Sequence, residues 1–535
     1  MWKQRAMKNF VRIMALVLAC MTCLLCFVAC DDGDKGKGNY EVDLRVDENG
    51  VKWAADEWGY YRQYDNLPFD LDYEQEVINC LVWDPDMAEF AQTEEVDDAR
   101  LSSIYKRNEA VQARLNVELN FITEHSAAGE GIKSFTQRVQ RAKEAGTNDF
   151  DIIATYSRTQ GALLLQGLLQ DLNAIEGNYF EEFSSPWWPN GLAGQMNIRD
   201  SLYFVSGDIS ITAIDEMHSI FFNKDLIDER FEETAKAAGD YDSATEWLYQ
   251  MVYDGKWTVD QFFEMASGYY ADNTRNGISV DDNYGICSVY YCISSLYGSC
   301  NLKQIEPDTN KVLVISGDVK SVRTTRLYAK LTELMKTNDY HDGTRPNSGS
   351  YTAPFTKGNA LFYLGYMCFA EKNLISNDAV ENYGILPLPK YDSAQTNYYT
   401  VVGNAFSIFS IFVDCDDRGS EAETLKMLSA VLECWASEAY RKTTPVVFEL
   451  NMQLKYSPTQ DETNMCEYIR AGIMFDLGRV LDSAMGGGAG DVINIDNLVV
   501  WGAQDGTAWT TQYAKYLPSM EKNLEDFVKS LGYDI

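Results

Sequence analysis

Histidine is nearly missing from this chain. His125, His218 and His341 are the only three among 535 residues. None stands at metal-ligand spacing from a cysteine, so a zinc site has too few ligands to draw on and each histidine reads as a surface or core residue. A Ser-His-Asp site would need one of the same three, and none lies in a nucleophile motif. Basic residues are scarce as well: 45 Lys and Arg stand against 80 Asp and Glu, a formal net charge of −35. Such a surface repels nucleic acid and anionic lipid, which argues against a nucleic-acid partner and for a neutral or cationic solute; the same acidity also serves solubility. No Gly-Lys-Ser or Gly-Lys-Thr phosphate loop occurs, and the glycine-rich run 486–490 follows no clear strand, so it reads as a loop. With so many carboxylates a pair spaced for glycoside hydrolysis can always be found, so their abundance indicates no enzyme. Nothing in the sequence calls for a metal or a cofactor.

Cysteine is sparse for this length, and four of the twelve, Cys20, Cys23, Cys26 and Cys30, fall in the first 30 residues. The remainder, Cys80, Cys287, Cys292, Cys300, Cys368, Cys415, Cys434 and Cys466, make no disulfide scaffold. Only Cys287, Cys292 and Cys300 lie close in sequence; a bridge within that trio and ordinary burial of small thiols both remain open. Long apolar runs are confined to residues 13–28. Lys3, Arg5, Lys8 and Arg12 precede that run, and Phe27-Val28-Ala29-Cys30 and then Asp31-Asp32 close it. It is shorter than the ~20 residues of a membrane-spanning helix. The layout is that of a bacterial lipoprotein signal over residues 1–30, with Phe27 where Leu is usual. Cleavage before Cys30 and acylation of its thiol would leave the chain lipid-anchored on the outer face of the plasma membrane. Residues 31–38 are polar and glycine-rich, and 31–72 reads as a flexible tether and N-terminal extension.

A chain of this length exceeds what one core supports, so two or more domains are expected. The packed body is expected from about residue 70. Residues 77–83 form an unbroken apolar strand pattern, 100–115 have helical spacing, 117–122 alternate as a strand, and 135–145, 150–156 and 161–169 continue the rhythm as helix, strand and helix. Strands are also expected at 202–206, 219–222, 361–367 and 384–388, and helices at 258–266, 323–335 and 424–439. Alternating strands and helices predict an α/β protein with parallel sheets.

Several stretches then carry a family resemblance in order along the chain: Asp149-Phe150-Asp151-Ile152-Ile153 followed by Gly167-Leu168-Leu169-Gln170-Asp171-Leu172; Leu202-Tyr203-Phe204-Val205 leading to Phe221-Phe222-Asn223-Lys224-Asp225-Leu226; Lys256-Trp257-Thr258-Val259-Asp260-Gln261-Phe262; Phe355, Gly358 and Ala360-Leu361-Phe362; and Tyr383-Gly384-Ile385-Leu386-Pro387-Leu388-Pro389. Over most of residues 73–535 the chain resembles the extracellular solute-binding proteins (family 1, sugar type) of ABC importers, the superfamily of maltose-binding protein. Pro186-Trp187-Trp188 and Ser206-Gly207-Asp208-Ile209 are similar to a branch found in Gram-positive anaerobes. The resemblance implies a two-lobe periplasmic-binding-protein-like fold (type II), with a ligand cleft between lobes joined by hinge strands. Lobe one would be 73–206 and 400–450, lobe two 207–399 and 451–535, with crossings near 205–211, 399–404 and 450–456. It further implies a monomer that binds a small molecule, in all expectation a carbohydrate, and delivers it to ABC permease transmembrane subunits without chemistry. A surface-anchored glycan-processing enzyme and a ligand-sensing partner of a membrane receptor are the alternatives.

In open parallel sheets, ligands bind beyond the carboxyl ends of strands, which selects Asp84, Tyr156, Ser157 and Tyr366. Aromatic faces stack on the C–H face of a sugar while carboxylates and amides bond its hydroxyls. The family resemblance adds Trp509, which stands where an aromatic lines the cleft, and Tyr366, where Trp is frequent. Trp187 and Trp188 read as ligand contacts or as a packed lid, Asp208 as a hydroxyl acceptor or a turn cap, and Asn404 as hinge or contact. Trp257 precedes a helix start and reads as a staple.

Overall fold

The computed structural model describes residues 42–532 except 85, 276, 345–348, 375–379, 416–417, 456–458 and 487–493. The expected leader, the Cys30 anchor, the polar run 31–38 and most of the glycine-rich run lie outside these residues. Among the described residues no helix is long and apolar enough to cross a membrane.

The apolar run at 77–83 becomes the strand Glu76–Asp84, buried along most of its length. A strand covered on both faces is expected at the centre of a sheet. It pairs in parallel with Val117–His125 on one side and Ile152–Tyr156 on the other. Ser407–Ile411 then joins antiparallel to Ile152–Tyr156, so that four strands make the first sheet. The second sheet has the order Tyr340–Asp342, Tyr284–Ser288, Ala360–Tyr366, His218–Asn223, Tyr383–Leu386. Its first three strands are mutually parallel, whereas His218–Asn223 runs antiparallel to both of its neighbours.

Neither sheet is wholly parallel, whereas the alternation of strands and helices predicts parallel sheets. The reversed strands, Ser407–Ile411 and His218–Asn223, each follow a segment that passes from one sheet to the other. Such a segment arrives at the carboxyl ends of the parallel strands, and the next strand has to run away from them. The passages themselves are not the strands expected. Residues 202–206 contribute only a single bridge, Val205 to Phe409, before the short helix Ile211–Asp215. Thr400–Val401 pairs in parallel with Ile473–Met474. Near 450–456 there is no crossing strand among the described residues: the helix Glu421–Thr444 runs on into wide π-type turns, Pro445–Lys455. Pro445 has no N–H for the preceding turn, and the helix continues with altered pairing.

Helix Glu421–Thr444 covers the first sheet beside Ala99–Leu115. Its Trp435 is fully buried between the rings of Phe121 and Phe409, at 5.9 and 5.6 Å. The packed body begins earlier than about residue 70. Leu44–Val46, Lys52–Ala55 and Tyr61–Gln63 form a three-stranded antiparallel sheet. Arg62 secures it by donating to both oxygens of Glu449 (2.7 and 2.6 Å), and the next segment is held by Arg114 to Asp65 (2.6 Å). Strands of three or four residues carry too little alternation to register as a sequence pattern. Cys287, Cys292 and Cys300 are buried and free, so the trio holds no bridge. Trp257 is buried with its indole N–H on the Pro387 carbonyl at 2.9 Å, as a staple requires.

Trp187 and Trp188 pack against helix Glu421–Thr444. Both rings are buried, and their indole N–H groups donate to the two oxygens of Glu433 at 3.0 and 2.9 Å. Burial pushes the Glu433 carboxyl up to about 8, against the two indole donors that favour its anion. A carboxyl raised from 4.5 on folding holds its proton more tightly in the native state, so its contribution to stability is full at low pH and is lost as pH rises through about 8. Glu433→Gln is expected to lower stability, because one acceptor becomes a donor facing an indole, yet to flatten the fall in unfolding free energy across that window. Denaturant titrations at several pH values check this; an unchanged slope would show that Glu433 stays ionised.

Candidate functional site

The two sheets meet at the connector 400–406. Strand Ile152–Tyr156 ends there: Ser157 takes the Phe406 carbonyl through its N–H (3.0 Å) and the Asn404 carbonyl through its hydroxyl (2.6 Å). From the other sheet, strand Ala360–Tyr366 ends with the Tyr366 ring 4.7 Å from that of His218, whose Nδ1 lies 2.8 Å from the Val401 carbonyl. Burial lowers His218 to about 3, so the ring is neutral. Gly403 closes the junction by donating its N–H to the Glu216 carbonyl at 2.8 Å. A Cβ there would lie 2.1 Å from Glu216 Oε2 and 2.7 Å from the Tyr366 ring, so only glycine lets these side chains sit against the connector.

Charged groups tie the sheets together across the crevice. Arg100, in the first turn of Ala99–Leu115, pairs with Asp215 of the connecting helix and with Glu371 beyond strand Ala360–Tyr366, the latter at 3.3 Å. Behind it Glu89 accepts from the Ser407 hydroxyl at 2.7 Å and the Thr212 hydroxyl at 3.0 Å. Burial raises Glu89 to about 7, opposed by those hydroxyls. Burial and then the charge of Asp215 raise Glu216 to about 8. A cavity of about 390 Å³ opens here, lined by Asp86, Glu89, Arg100, Asp215, Glu371 and Lys372 among others. A second, lined by Ser157, Val402, Phe406, Met474 and Arg479, has only about 20 Å³, room for about one water. Arg158 beside it pairs with Asp482, and Arg479 with Asp496.

Of the residues singled out in the sequence, Ser157, Asn404 and Tyr366 converge on the connector. Asp84 is exposed at the end of its strand. Tyr156 is buried, its ring 5.6 Å from that of Trp83. Four others are placed elsewhere. Trp187 and Trp188 are committed to Glu433 as described. Asp208 is 8% exposed and accepts two hydrogen bonds from Arg470, at 3.0 and 2.8 Å, which leaves no free carboxylate for a ligand. Trp509 is 3% exposed and donates its indole N–H to the Val319 carbonyl at 2.9 Å, with Tyr328 against its ring. These side chains face the core because their polar atoms already have protein partners. Arg100, Asp215, Glu216, Glu371 and Lys372 were missed. Asp215 and Glu216 lie a few residues before the strand His218–Asn223, a place that becomes a crevice position only when that strand runs antiparallel.

No family model matches the sequence, and no curated protein matches it. Solved structures do share the fold. The sugar-binding protein MalE from Xanthomonas citri is 11% identical, with a TM-score of 0.53, over 86% of this chain and 100% of that one. The galacto-N-biose/lacto-N-biose I-binding protein of the Bifidobacterium longum ABC transporter, in complex with lacto-N-biose, is also 11% identical, with a TM-score of 0.51, over 86% of this chain and 99% of that one. The chain has the two-lobe α/β fold of these proteins.

Proposed function

We propose that this protein is a solute-binding receptor that captures a mono- or oligosaccharide between its lobes and hands it to the transmembrane subunits of an ABC importer. It performs no chemistry on the solute. It is anchored through acylated Cys30 on the outer face of the plasma membrane, and its lobes are 73–206 with 400–450 and 207–399 with 451–535. The observation that carries the reading is the crevice itself. The Ser157 hydroxyl, the Glu216 carboxyl group and the partly exposed Tyr366 ring meet at one connector between the two sheets, in the fold that serves the two neighbours as sugar-binding proteins. Hinge opening would admit a solute larger than the present space beside the connector, and closure would present a new surface to the permease.

Calorimetry and thermal shift with a panel of mono- and oligosaccharides, followed by chromatography of the recovered sugar, test this. Binding with intact sugar is expected; new reducing ends would identify an enzyme instead. Tyr366→Ala should weaken binding by roughly 2- to 13-fold, the loss of about 0.5 to 1.5 kcal/mol of ring stacking. Unchanged affinity in this variant would remove Tyr366 from the sugar site.

A further inference from the structure

We propose that the solute carries an ammonium group, as an amino sugar does, and that Asp215 receives it in the 390 Å³ cavity between the sheets; this rests on the receptor reading above. Asp215 is 7% exposed. One of its oxygens pairs with Arg100, but the other, Oδ1, is buried and has no partner, and the residue lines the cavity. An orphaned carboxylate oxygen is costly unless a ligand donates to it.

The charge around it has the same requirement. Asp86, Glu89, Asp215 and Glu371 line the cavity against two cations, Arg100 and Lys372. Arg100 is held by Asp215 and Glu371 together. The lining therefore carries a surplus of acidic groups, and burial, the main cause in both, raises Glu89 to about 7 and raises Asp86 as well. A neutral hydroxyl would complete Oδ1 and leave this surplus in place. An ammonium does both, and a carboxylated or sulfated sugar meets repulsion. A metal ion is the other source of positive charge, but no group of three or more His, Cys, Asp or Glu side chains is placed to hold one among the described residues.

The test is calorimetry on the full protein near pH 6, where the amine is protonated. The probes are glucosamine, galactosamine and mannosamine, each beside its N-acetyl form and its parent hexose. At least one amine should bind about tenfold more tightly than both counterparts, the margin of one charge-assisted bond over a neutral one. The preference should shrink with added salt and vanish in Asp215→Asn. Because Asp215→Asn releases Arg100 and risks misfolding, Asp86→Asn is the second variant, expected to reduce the preference severalfold. Equal or tighter binding of the neutral forms overturns the proposal and leaves the receptor reading standing. Failure of every amine also overturns it, and failure of the wider panel as well removes the receptor reading. Saturable binding of calcium alone, lost in Asp215→Asn, would assign the site to a metal instead.

Discussion

Trp509→Ala is expected to lower the unfolding free energy by roughly 3 to 5 kcal/mol while leaving the sugar affinity of the folded protein unchanged. The indole stands at the first position of the helix Trp509–Ser530 and fills the space between Tyr328 and Tyr513, with ring centroids 5.4 and 5.8 Å away. Truncation removes this packing and also strands the Val319 carbonyl, which accepts the indole N–H. Both losses are on the stability side, since the ring has almost no surface to offer a ligand. Denaturant unfolding and calorimetry on the same preparation check the expectation. Weakened binding at undiminished stability would restore Trp509 to the cleft, where the family resemblance had put it.

The second large effect concerns the buried pair Arg158–Asp482. Both side chains are almost wholly withdrawn from water, Arg158 at 3% and Asp482 at 0%. Asp482→Ala leaves an arginine charge buried beside Tyr156 without its partner, at a cost of about 3 to 5 kcal/mol. Replacing both, as in Arg158→Met with Asp482→Leu, should recover most of that, because the apolar pair needs no desolvation. Urea unfolding of the single and double variants measures the coupling. If the double variant is as unstable as the sum of the singles, the two residues act independently and the pair does not clamp the crevice. Arg158 directly follows Ser157, so a weakened clamp would also loosen the connector side of the proposed sugar site.

How far the site could be read in advance follows from local patterns. Residues at the ends of apolar strands could be located where the strand itself was evident, and two of them, Ser157 after Ile152–Tyr156 and Tyr366 at the end of Ala360–Tyr366, lie at the connector, whereas Asp84 and Tyr156 do not. Aromatic character alone misled. Trp187, Trp188 and Trp509 are as attractive in sequence as any sugar platform, yet each indole N–H has a partner within the protein: Glu433, 245 or 246 positions away for the first two, and the Val319 carbonyl, 190 positions away, for the third. No window of sequence contains both members of such a pair. Asp208 was undecidable for the same reason, its partner Arg470 lying 262 residues further on.

The sequence by itself determined the α/β class, most of the principal strands and helices, and the poverty in histidine that leaves few catalytic or metal-binding arrangements open, because these depend on composition and on periodicities of two and 3.6 residues. Only the tertiary structure decided which strands run against the rest. It also decided that the small sheet at 44–63 packs onto the body, and that Arg100, Asp215 and Glu371 face one another across the crevice. Arg100 lies 115 residues from Asp215 and 271 from Glu371. Their meeting is a property of chain reversal between two sheets and of burial, which no local pattern encodes.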